Sequence, residues 1–245
     1  DWSQTCALPI YYEEQYVLIG GTACDILFES NEVNFRATRD LDMVLIVEAL
    51  TPEFGEKFWE FIVDGKYRNK ATNGSNPQFY RFDKPEDDEF PKMIELFCRS
   101  DFKLKNAKGI TPIHIDDEVS SLSAILLNDD YYKALLNGKE VRNGLSVLRP
   151  EYIILFKAKA YLDLQKRKDS GEKLDSSDIK KHKKDVLRIA SELMLEKVEE
   201  LPIAVDADIH SFIDLLEQEP FDQNSLKRYG LKNENVVELL KRVFG

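Results

Sequence analysis

Apolar positions come in short, turn-bounded runs over roughly the first 150 residues and at helical spacing beyond Pro150. Tyr16-Val17-Leu18-Ile19 is an unbroken apolar run stopped by Gly20-Gly21, which predicts a buried strand. Thr22 is placed to cap a short helix over Ala23 to Phe28. Asp40 to Val47 (DLDMVLIV) predicts a second strand, apolar and β-branched toward its end. Thr51-Pro52-Glu53 combines an N-cap with Pro at the first helical position, and Phe54, Phe58, Phe61 and Ile62 mark one face of a helix reaching about Gly65. Lys66 to Pro77 is polar and loop-like. Gln78 to Phe82 and Lys92 to Arg99 predict a hairpin joined by the acidic turn Asp83 to Pro91.

Leu122 to Leu127 fits either strand or helix. Asn128-Asp129-Asp130 opens a helix that runs to Asn137-Gly138, and Arg142-Asn143-Gly144 marks a tight turn, because Asn-Gly suits positive φ. Glu151 to Lys168, Asp178 to Leu195, Val205 to Glu217 and Glu234 to Phe244 then follow the helical period, with polar Asp169 to Ser177 linking the first two. The expectation is an α+β chain: a small mixed sheet flanked by helices over residues 1–149, followed by an all-helical domain over residues 150–245.

Composition fits a folded protein, at 43% apolar and 11% aromatic residues with no low-complexity tract. A net charge of −11 argues against coating nucleic acid by bulk electrostatics. The charge is uneven, however. Lys157 to Arg188 carries 11 basic and 6 acidic residues, so this stretch is +5 and the remainder −16, a pattern suited to a phosphate-bearing ligand. Three cysteines without paired spacing suggest neither a disulfide framework nor a zinc site, which points to a reduced, cytoplasmic protein. Tyr16 to Leu27 contains Thr22 and Asp25, is shorter than the ~20 residues a bilayer span needs, and lacks a signal-peptide pattern; no membrane association is expected.

Four features carry candidate chemistry. Asp40 and Asp42, at i and i+2 on a strand, point to one side while Leu41 and Met43 point to the other. Two carboxylates so close suit a shared Mg²⁺, although the same spacing describes two surface acids at a strand end. Gly20-Gly21-Thr22 permits close approach of an anion to a helix start, or forms an ordinary strand-to-helix turn. Glu95 lies in Met93-Ile94-Glu95-Leu96-Phe97, where a carboxylate either needs a partner or faces water at a sheet edge. Lys157 falls in the middle of the face formed by Ile153, Phe156, Ala160, Tyr161 and Leu164, so it either snorkels outward or points into a cleft toward an anion.

The order of these elements resembles the DNA-polymerase-β-like nucleotidyltransferase superfamily. Gly20-Gly21-Thr22-Ala23, Arg36-Ala37-Thr38-Arg39-Asp40-Leu41-Asp42, Pro150-Glu151 leading into Lys157-x-x-Ala160, and Lys184-Asp185 bring it nearest to the AbiEii-like abortive-infection nucleotidyltransferases, toxin halves of toxin–antitoxin pairs. The resemblance covers roughly residues 16 to 190. It implies a nucleotidyltransferase sheet, with Asp40, Asp42 and Glu95 holding Mg²⁺ (or Mn²⁺). It also implies Gly20, Gly21, Thr22, Lys184 and Asp185 on a nucleoside triphosphate, and Lys157 as a catalytic cation. An RNA acceptor, such as a tRNA end, and an antitoxin partner come with it. A small-molecule acceptor of the antibiotic type and a non-catalytic nucleotide- or antitoxin-binding module stay open beside that reading.

The sequence also departs from the family pattern. Seventeen residues separate Thr22 from Asp40, implying an inserted loop near Glu29 to Asn34. Arg188 stands where the family has another acid, and Glu95 where many relatives have Asp. Lys184 lies opposite the apolar face set by Ile179, Val186, Ala190 and Leu193, so its role rests on the resemblance alone. His114 with Asp116-Asp117, and the run Glu86 to Glu89, read as solvated loops; His182, Cys24 and Cys98 read as packing residues.

Overall fold

The structure is a computed structural model and describes residues 12–29, 40–67, 79–87, 90–98, 125–126 and 128–245. The chain is mixed α+β. In order, it forms β1 (Tyr16–Ile19), α1 (Gly20–Glu29), β2 (Asp40–Leu45), α2 (Pro52–Asp64), β3 (Phe79–Asp83) and β4 (Met93–Cys98). It continues with α3 (Asp129–Asn137), β5 (Lys139–Arg142), β6 (Leu145–Leu148), α4 (Pro150–Asp169), α5 (Ser176–Glu192), α6 (Ile203–Gln218), α7 (Gln223–Arg228) and α8 (Asn233–Phe244).

The described residues fall into two compact units. The first contains all six strands, α2, and α1 as far as Ile26. Its sheet has the order β3-β4-β2-β1-β6-β5. β1 runs antiparallel to β2 and parallel to β6, while β2 and β4 are parallel. β1 is buried along its whole length, as an unbroken apolar run between two neighbours should be. α2 starts where Thr51 accepts a hydrogen bond from the Phe54 amide at 3.3 Å, with Pro52 in the first turn. Gln15 braces that start, accepting from the Thr51 amide at 2.8 Å and donating to its hydroxyl at 3.3 Å. The apolar face of α2 carries stacked Phe54 and Phe58, with Phe58 edge-on to Phe82 of β3 at 5.9 Å. Asn143 (φ 52°) and Gly144 (φ 77°) turn β5 into β6 with both central residues left-handed, the geometry that two-residue hairpins favour.

Two local expectations change. α1 begins at Gly20, so Thr22 lies inside it rather than capping it. Gly20 is left-handed (φ 63°), which lets the chain pass from strand to helix without a linker. The short helix α7 also has no counterpart in the apolar pattern. It is nucleated by Asp222, whose carboxylate accepts from the Ser225 amide at 2.9 Å.

The second unit contains α3 to α8 and begins in sequence at Leu27, so it is not one continuous stretch. α3 is capped by Asn128 and closed at Gly138. A polar network joins three helices: the Tyr131 hydroxyl donates to Asp208 at 2.9 Å, and Lys159 bridges Asp163 at 3.0 Å and Asp208 at 3.1 Å. Asp130 accepts from the Ala204 amide at 2.9 Å and so satisfies the start of α6. No helix among the described residues is long and apolar enough to cross a membrane.

Candidate functional site

The head of β2 lies at a rim of the first unit's sheet. Burial rises along one face of the strand, from exposed Asp40 through half-buried Asp42 to buried Val44, while Leu41 and Met43 fill the opposite face. Because β1 is antiparallel to β2, Ile19 pairs with Asp42, and the strand-to-helix junction at Gly20 falls beside that carboxylate. A Cβ added at Gly20 would overlap Asp42 Oδ2 and lie 3.1 Å from Cγ, so with its left-handed φ the position strongly favours glycine. The first amides of a helix have no intrahelical partner, and α1 has no acid of its own in its first turn. Asp42 therefore sits at the positive end of α1.

Thr22 is buried, and its hydroxyl donates to the Asp40 carbonyl at 2.5 Å, which ties the helix to the head of β2. Of the Gly20-Gly21-Thr22 trio, Thr22 is a strut, and the backbone amides at the start of α1 are the groups that could take an anion.

Glu95 on β4 pairs in parallel register with Asp42, so the two side chains rise from one face of adjacent strands. Glu95 is only 7% exposed. Arg81 of β3, its cross-strand partner, donates to Glu95 Oε1 through Nε at 2.8 Å and Nη2 at 2.5 Å. Arg81, Glu95 and Asp42 form a row across three strands, with Asp40 at the same rim. The sequence held a signal for Arg81, a lone cation between aromatic residues in FYRFD, but its meaning depends on hairpin register. All three acids offer oxygen ligands only, the donor chemistry suited to Mg²⁺ or Mn²⁺. Among the described residues, Asp40, Asp42 and Glu95 included, no three His, Cys, Asp or Glu side chains are brought close enough together to hold a metal ion as they stand.

The remaining candidates belong to the second unit. Lys157 on α4 pairs with Asp185 on α5 at 2.8 Å, with side-chain exposures of 17% and 28%. Lys184 is exposed, as its place on the helix implies. Beside the pair, His182 Nδ1 is buried with no hydrogen-bond partner among the described residues. Burial of the ring, reinforced by the Lys157 charge, pushes the His182 pKa down to about 3. The unfolded chain therefore takes up this proton near its ordinary 6.5 and the folded chain only near 3, so stability present above pH 6.5 is lost as pH falls through that window. The expected loss is on the order of 3 kcal/mol by pH 4. Urea titrations at pH 6.5 and 4 check this, with His182→Leu expected to flatten the dependence.

Several cations of the +5 stretch are matched locally. Arg188 pairs with Glu192 at 2.9 Å, Arg167 with Glu172, and Lys168 donates to the Ser176 hydroxyl at 2.8 Å. Lys183 donates to the Glu219 carbonyl and lies 5.6 Å from the Tyr161 and Phe221 rings. The stretch is a mixed surface, with Lys166, Lys173, Lys180, Lys181 and Lys184 exposed. His114, Asp116, Asp117 and the Arg36-to-Arg39 part of the motif lie outside the described residues. No protein-family profile matches the chain, and no curated protein matches it significantly.

Proposed function

We propose that this chain is a divalent-cation-dependent nucleotidyltransferase, moving a nucleoside monophosphate from a nucleoside triphosphate to an acceptor hydroxyl. One observation carries the reading: Asp42 stands against the glycine start of α1 and in register with Glu95. The Gly20 and Gly21 amides and the positive end of α1 bind the triphosphate. Thr22 fixes the Asp40 backbone beside them. Asp40 and Asp42, joined by Glu95, are the residues that would hold Mg²⁺ (or Mn²⁺). The cation, when bound, offsets the charge that develops on the α-phosphate and on departing pyrophosphate. Roles for Lys157, Lys184 and Asp185 on phosphate or acceptor come from the resemblance alone; Lys157 and Asp185 are paired with each other. The resemblance noted above favours an RNA acceptor and an antitoxin partner, with a small-molecule acceptor as the alternative. A nucleotide- or antitoxin-binding module without turnover is the second reading, and the Arg81 contact on the third carboxylate favours it.

Thermal unfolding with each of the four ribonucleoside triphosphates, with and without Mg²⁺, tests the proposal. A ligand at a hundredfold over its Kd adds about 2.7 kcal/mol, which corresponds to roughly 5–10 °C for a chain of this size. The expected result is a Mg²⁺-dependent rise with at least one nucleotide, absent in Asp42→Ala. A nucleotide shift indifferent to Mg²⁺ would favour the binding module. No shift at millimolar nucleotide would remove the enzyme and the nucleotide-binding module, leaving only the antitoxin-binding form of the second reading.

A further inference from the structure

Three carboxylates at one rim of a sheet need positive charge in the absence of a cation. Asp40 is exposed, and Asp42 has the start of α1. Glu95 is the most buried of the three, and an ionised carboxylate at 7% exposure beside a second carboxylate is costly without a partner. Its partner is Arg81, itself only 19% exposed at the side chain and held opposite Glu95 by the β3–β4 register. Both bonds from Arg81 to Glu95 end on Oε1, with the guanidinium edge turned to the carboxylate.

We propose that Arg81 is a built-in counter-cation for the carboxylate row, holding Glu95 in the cation-free protein and yielding it when a divalent cation is held by Asp40, Asp42 and Glu95. The inference rests on the cation reading above and adds a positioning residue that the sequence resemblance does not supply. Arg81 keeps the rim folded before the cation arrives, and it sets the affinity, because the incoming ion meets a fixed positive charge and must take over one of its contacts. Cation affinity is thereby held below what the acids alone would give.

The test is Mn²⁺ binding by calorimetry, with metal-free thermal unfolding beside it, on the full chain and on Arg81→Ala, Arg81→Gln, Glu95→Gln and Asp42→Ala. Removing a unit charge beside a divalent-ion site should tighten Mn²⁺ by about tenfold in Arg81→Ala. Arg81→Gln, which keeps a hydrogen-bond donor without the charge, should tighten it in the same direction and guards against a variant that does not fold. Both should melt lower than the parent without metal and recover more with Mn²⁺. Glu95→Gln and Asp42→Ala should weaken binding. Unchanged affinity in both Arg81 variants, with Asp42→Ala still impaired, would make Arg81 a structural cross-strand partner and leave the cation reading standing. Weaker binding in both would show Arg81 ordering Glu95 for the ion and would equally overturn competition. No Mn²⁺ binding by any variant would overturn the inference and the cation reading together.

Discussion

Asp42→Ala is expected to lower nucleotidyl transfer by about a thousandfold or more while changing stability by less than about 1 kcal/mol. The two effects separate because Asp42 is half-buried and takes no part in the packing made by Leu41 and Met43 on the other face. Removing it loses a favourable charge at the start of α1, worth ~0.3–1 kcal/mol. It also removes the repulsion between two carboxylates in register on adjacent strands, which acts in the opposite direction. Turnover has no such offset, since Asp42 is the acid nearest both the glycine amides and Glu95. Pyrophosphate release from the triphosphate that gives the thermal shift, followed with bulk RNA present, measures the first effect; a circular dichroism melt measures the second. Retained turnover in a folded Asp42→Ala protein would end the assignment.

Gly20→Ala should act in the opposite way, through the fold first. A left-handed alanine costs about 1–2 kcal/mol, and the new Cβ would overlap Asp42 Oδ2, forcing either the carboxylate or the helix start to move. Together the expected loss is about 2–4 kcal/mol, or roughly 5–15 °C in Tm. The two contributions can be separated. In Gly20→Ala/Asp42→Ala the overlap is gone and only the backbone strain is left, so the double variant should melt above Gly20→Ala alone. A strictly additive pair would mean that Asp42 does not rest against Gly20.

Legibility in the sequence followed the range of each interaction. β1 announced itself because all of Tyr16 to Ile19 is buried between two strands, and α2 because Thr51, Pro52 and the Phe54–Phe58–Phe61–Ile62 stripe act within one helix. Asn143-Gly144 was equally local. The start of α1 was placed late because what fixes Thr22 is the Asp40 carbonyl, eighteen residues away across a strand pairing. Arg81 was missed for the same reason: its neighbours in the chain are aromatic, and only the β3–β4 register brings it to Glu95. Lys157 stood out as a cation on an apolar face, yet its answer, Asp185, lies on the next helix. The nucleotidyltransferase arrangement itself remains a proposal, resting on resemblance and on the geometry around Asp42.

The parallel pairing of β1 with β6 has a consequence for biosynthesis. Leu18 pairs with Val147, so one flank of the most buried strand stays without its native neighbour until the chain has been made past Leu148. At ~5–20 residues per second, that leaves an apolar strand edge open for roughly 6–26 s after Ile19 is joined. Such an edge invites pairing with other nascent chains. Chains truncated before Leu145 should collect in inclusion bodies, whereas those ending just after Leu148 carry all the described strands of the sheet.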